Sequence, residues 1–186
     1  MKNIRVWTKQ HENAARLLEE TGRYFGRREY VGIDLGEDAP LVLEAYNWLV
    51  SHGPLARAPK PPEAEYPVWV SFRHEDTMLH TPHTVILELS VDPSLVTEID
   101  INKWGTILNY GYIPADEKDR LRHRRLLEDY GVSDTKAYMS QFYPQIRREI
   151  IASWDRLFDP SVSLGNGQTY GVLWEVRKEW VTNITR

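Results

Sequence analysis

The chain of 186 residues has no cysteine, which excludes disulfides, thiolate metal ligands and a thiol nucleophile, so a reducing, cytosolic setting is expected. It also lacks long apolar runs. Nothing approaches the roughly 20 apolar residues of a membrane span, and Met1 to Trp7 carries no signal-peptide core. Positive charge is not in excess either: 23 Lys and Arg stand against 27 Asp and Glu, a formal charge of −4. A general attraction to phosphate backbones is therefore absent, and only a local patch could provide one. Aromatics, by contrast, are plentiful. Seven Trp and ten Tyr suit a core and equally suit stacking surfaces for bases and nicotinamide rings. A chain of this size is expected to form a single domain over residues 1–186.

Residue order predicts an α+β fold. Ile4 to Thr8 reads as a strand, and Ala14, Leu17 and Leu18 follow at helical spacing, with Asn13 as cap and Gly22 as stop. A helix is predicted over Pro40 to His52, with Asp38 as cap and Leu41, Ala45, Trp48 and Leu49 on one face. Pro54 to Pro67 has five prolines in fourteen residues and reads as an extended connector. Val68 to Phe72 and Thr84 to Leu89 read as strands around a polar loop. A helix begins near Asp100 and ends at Gly111. Ala115 to Tyr130 is a charged helix whose apolar stripe is only Leu121, Leu126 and Leu127. Pro144 opens the best helix, with Ile146, Ile150, Trp154, Leu157 and Phe158 on one side. Thr169 to Val176 and Trp180 to Ile184 read as closing strands, so the two chain ends are expected to pair around a pocket.

Few groupings of residues suggest chemistry. His74, His80 and His83, with Glu75 and Asp76, hold enough imidazole and carboxylate for zinc or iron, but their spacing matches no metal hairpin, and a solvated loop is the plainer reading. Arg120, Arg122, His123, Arg124 and Arg125 could meet phosphates. The acids around them, Asp116, Glu117, Asp119, Glu128 and Asp129, favour an ion-paired solvated face. The glycines at 165 and 167 fit neither the dinucleotide nor the nucleoside-triphosphate pattern. No Ser, His and Asp are arranged as a triad, and no carboxylate pair stands out.

Several segments taken in order resemble the ADP-ribosyltransferase fold, in particular its DarT-like and tRNA 2′-phosphotransferase-like branch. These are Arg5 to Thr8 before a helix ending at Gly22; Pro67 to Phe72 before Met78-Leu79; Thr84 to Leu89 and then Glu98-Ile99-Asp100; and Gly167 to Leu173. The chain also resembles an uncharacterised bacterial domain-of-unknown-function family.

The first resemblance implies a split β-sandwich with flanking helices that binds NAD as a substrate. It implies transfer of ADP-ribose to a macromolecule, nucleic acid included, in a toxin or phage-defence setting. By position it assigns Trp7 or Thr8 to the nicotinamide ribose, Tyr24 and Trp69 to aromatic walls, Ser71 to support of the site, and Gln168, as the late-strand residue, to the ribose hydroxyl. Thr8 and Gln168 are its catalytic candidates. No His or Arg occupies the first-motif position, and Gln168 stands where Glu is usual; an amide accepts no proton, so a base would have to come from elsewhere, Glu175 being one candidate. Two alternatives stay open: a binding or inhibitory module on the same fold, or a single-stranded nucleic-acid binder using the aromatics and the Arg120 to Arg125 helix.

Overall fold

β4, Thr84–Val91, alternates so that Val85, Leu87, Leu89 and Val91 point into one core, as period-two patterning requires. It sits at the centre of a three-stranded antiparallel sheet, between β1 (Ile4–His11) and β8 (Val181–Thr185). Both chain ends thus enter this sheet, but each pairs with β4, which corrects the expectation that they pair with one another. The computed structural model describes residues 2–28, 39–77, 79 and 81–186, with residues 39–41 described for the backbone alone. Asp38, Met78 and His80, and with them the predicted cap and the Met-Leu pair, lie outside the described residues; the side chain of Leu41 is not described.

The described chain divides into two compact units, Met1–Glu98 with Thr169–Arg186, and Ile99–Gln168. In the first, α1 (Glu12–Thr21) lays Ala14, Ala15 and Leu18 on the β1–β4 face. Its N-cap is the side chain of His11, which accepts from the amide of Asn13 at 3.1 Å, so Asn13 is not the cap. Gly22 ends the helix at φ +78, a conformation that costs glycine nothing. β2 (Arg23–Tyr24) pairs with β7 (Val176–Arg177). α2 (Ala39–Ser51) buries Leu43, Ala45, Trp48 and Leu49. The proline-rich connector is not wholly extended: α3 (Gly53–Arg57) forms because Pro54 sits in its first turn, where the missing amide is not needed. β3 (Val68–Val70) pairs antiparallel with β6 (Thr169–Leu173). β6 lies between β3 and β5 (Thr97–Asp100), so Glu98-Ile99-Asp100 belongs to a strand and not to a turn.

In the second unit, Asp100 caps α4 (Ile101–Leu108) by accepting from the amides of Asn102 and Lys103. α5 (Glu117–Tyr130) is mostly polar; Leu121, Leu126 and Leu127 are half-buried, and His123 is its one buried residue. A helix that sequence patterning did not predict, α6 (Asp134–Met139), precedes α7 (Pro144–Ser153). Ile146, Ile150, Trp154 and Leu157 are buried as the spacing required. Tyr110, Tyr138 and Trp154 stack through this core, with Tyr110 and Tyr138 only 4.3 Å apart. The basic run on α5 is engaged: Arg120 pairs with Glu117, Arg122 with Asp119 and Glu149, and Arg124 with Glu128. This matches the ion-paired reading of that helix.

Candidate functional site

β1 is fully paired along one edge only, with β4 from Ile4↔Val91 to His11↔Thr84. On its other edge it meets the second sheet at a single bridge, Trp7↔Ser71. There the Trp7 amide donates to the Ser71 carbonyl at 3.0 Å and the Ser71 amide donates back at 2.8 Å. Among the described residues, this is the one backbone bridge between β1 and the second sheet.

Strand alternation sorts the side chains around this bridge. Trp7 and Ser71 lie opposite one another and share a face. Trp69, two residues along β3, is on that face too. Thr8 is turned to the other side, 2% exposed, where its hydroxyl donates to the Trp69 carbonyl at 2.7 Å and accepts from Gln10 Nε2 at 2.8 Å. It acts as a brace between β1 and β3 and not as a ligand-facing group.

Around Trp7, Trp69 and Ser71 the structure gathers residues that no spacing announced. Trp69 Nε1 donates to the Tyr46 hydroxyl at 2.8 Å. Burial pushes that phenol up to about 12, against the smaller opposing effect of the Trp69 bond, so it is a neutral hydrogen-bonding group. Tyr66 packs edge-on to Tyr46 at 5.3 Å and donates to Asn47. The short 3-10 turn His74–Asp76 is held in place by the Tyr170 hydroxyl, which donates to the Asp76 carbonyl at 2.9 Å, and by the Ser71–Thr77 hydroxyl contact at 3.0 Å. That turn sets the His74 ring against the edge of Trp7, 6.3 Å between centroids. Two indoles, hydroxyls and an exposed imidazole thus stand about the bridge, which suits a ligand with a flat ring and several hydroxyls.

The other expected site residues lie elsewhere. Tyr24 pairs with Val176 and is buried in the first unit's core, which corrects its reading as a pocket wall. Gln168 is the last residue of the second unit; its carbonyl accepts from the Ile101 amide at 2.9 Å and its own amide donates to Asn166. Glu175 is gripped on both oxygens, by Arg23 Nε at 2.7 Å and Arg177 Nε at 2.8 Å. His83 bonds to Glu12 and stacks on His11, apart from His74's contact with Trp7. Among the described residues no three metal-capable side chains gather, and no helix is long and apolar enough to cross a membrane.

A family model described as a domain of unknown function (DUF3841) matches residues 5–182. The chain belongs to the DUF3841 family. The match runs from β1 into β8, so the Trp7–Ser71 bridge and the residues gathered about it all fall within the DUF3841 domain. Comparison with curated proteins and with solved structures gives no match.

Proposed function

We propose that the chain is an ADP-ribosyltransferase-like protein that binds NAD beside the Trp7–Ser71 bridge, where β1 meets the second sheet. The observation that carries this is the single Trp7–Ser71 bridge, with Trp7, Trp69 and Ser71 on one face and His74 beside them. Two sheets that meet at a single backbone bridge are in keeping with the split β-sandwich of the resemblance. In this reading an indole packs on the nicotinamide ring, Thr77 serves the ribose, and buried Ser71 and Thr8 position the strands from behind. The nicotinamide–ribose bond breaks with its electron pair passing to the ring nitrogen, so neutral nicotinamide leaves. A nucleophile of a macromolecular acceptor bonds to the ribose carbon and passes its proton to the His74 imidazole. Calorimetric titration with NAD, followed by assay of released nicotinamide, tests the proposal: binding with release supports it, and no heat at millimolar NAD overturns it.

A second reading, binding without transfer, is favoured by one observation. Glu175, the only carboxylate that sequence offered as a base, is locked between Arg23 and Arg177. Binding of NAD with no release of nicotinamide in the presence of candidate protein or nucleic-acid acceptors selects this reading.

A further inference from the structure

The second unit contains a cluster that the proposed NAD site does not use. His123 is buried on α5, and both of its ring nitrogens face carboxylates: Nε2 lies 2.6 Å from Asp134 Oδ1 on α6, and Nδ1 lies 3.2 Å from Glu149 Oε2 on α7. Tyr112 stacks flat on the ring at 3.8 Å. A neutral imidazole has one N–H and could satisfy only one of these oxygens, whereas the imidazolium donates to both.

The surroundings reinforce this. From α5, Arg122 reaches Glu149 and the Tyr112 hydroxyl, and Asp119 accepts from Tyr112 and Arg122. From the 3-10 turn after α7, Arg156 bonds Asp119 and the Ile113 carbonyl. Three carboxylates, Asp119, Asp134 and Glu149, therefore meet two guanidiniums, Arg122 and Arg156, and the cluster is neutral only when His123 supplies the third positive charge.

We propose that the second unit carries a proton-operated clamp, in which charged His123 ties α5 to α6 and α7 and loses its hold on α7 when it gives up its Nδ1 proton. Nδ1 is the site of release because its contact is the longer, and Glu149 keeps Arg122 as a partner. Asp134 also accepts from the Tyr112 amide at 3.0 Å, so α6 stays anchored while the α5–α7 contact loosens. Burial works against the charge, but the bonds to Asp134 and Glu149 outweigh it, and the imidazole's pKa lies above its ordinary value of 6.5. A raised value means that the clamp's contribution is complete below the unfolded-state pKa and is lost as pH rises through the folded-state pKa.

Ring 15N NMR of the full chain, together with amide hydrogen exchange across α5 and α7 between pH 6 and 9, tests the clamp. The expected spectrum has both His123 nitrogens protonated at pH 6.5. Between 6.5 and the folded pKa, the opening equilibrium of α5 and α7, after correction for the intrinsic exchange rate, grows up to about tenfold per pH unit. Glu149→Gln is expected to lower the His123 pKa, and His123→Gln to flatten the pH dependence. Should His123→Gln fail to fold, the titration of the unaltered chain still decides. Titration of His123 at or below 6.5, or a pH dependence unchanged in Glu149→Gln, overturns the proposal.

Discussion

At the scale of single residues, the sheet that carries Trp69 is tightly packed at β6. Gly171 of β6 lies against Val70 and Val96. A β-carbon there would stand 2.5 Å from Val96 Cγ1 and 2.8 Å from Val70 Cγ2, so Gly171→Ala is expected to cost about 1–3 kcal/mol by overpacking, read from urea unfolding. His74 is exposed, and His74→Ala is expected to leave the melting temperature unchanged while slowing nicotinamide release. Trp7, Trp69 and Ser71 share a face because they stand at alternate or opposite strand positions. Residue-level reading of the sequence failed at Thr8 and Tyr24 because neighbours on a strand point in opposite directions, and the phase of that alternation depends on which side the core lies. Tyr46, Thr77 and Tyr170 escaped notice because they reach the bridge from separate elements, at no fixed spacing.

At the scale of elements, long periodic segments were legible. α7 and β4 lie where their hydrophobic repeats put them, because one repeat buries one face. α6 was missed: at six residues it is too short for a repeat to declare itself, although Ser133 caps it by accepting from the Lys136 amide. α5 shows how unequal neighbouring charges are. Arg120 pairs with Glu117 in solvent, so Arg120→Ala is expected to leave thermal stability unchanged. Asp119, its neighbour in sequence, accepts from Tyr112, Arg122, Arg156 and the Ala115 amide. Asp119→Ala strands those donors and is expected to cost roughly 2–3 kcal/mol in a denaturant melt. Burial opposes ionisation of Asp119, but these bonds prevail and hold its carboxyl below the usual range. A lowered carboxyl stabilises above the unfolded value near 3.8 and loses that effect as pH falls through the folded value, so acid is expected to loosen α5. The His123 clamp and Asp119 thus limit the second unit's stable range from the alkaline and the acid side.

At the scale of the whole molecule, composition was informative about class and silent about pairing. An α+β chain was readable from the mix of two-residue and helical repeats, whereas the order β1–β4–β8, with both ends on one central strand, depends on contacts between segments roughly seventy to a hundred residues apart and leaves no local trace. Membership of the DUF3841 family covers nearly the whole chain and carries no activity with it; the proposed one rests on the residues about the Trp7–Ser71 bridge. NAD is expected to raise the melting temperature in a concentration-dependent way, because a ligand bound only by the folded state stabilises by mass action. The most direct measurement is an NMR titration of 15N-labelled protein with NAD that follows the seven tryptophan indole signals. The account requires the Trp7 and Trp69 indoles to shift with saturating NAD while buried Trp154 stays still. No shift at millimolar NAD, or shifts that spare Trp7 and Trp69, would contradict it.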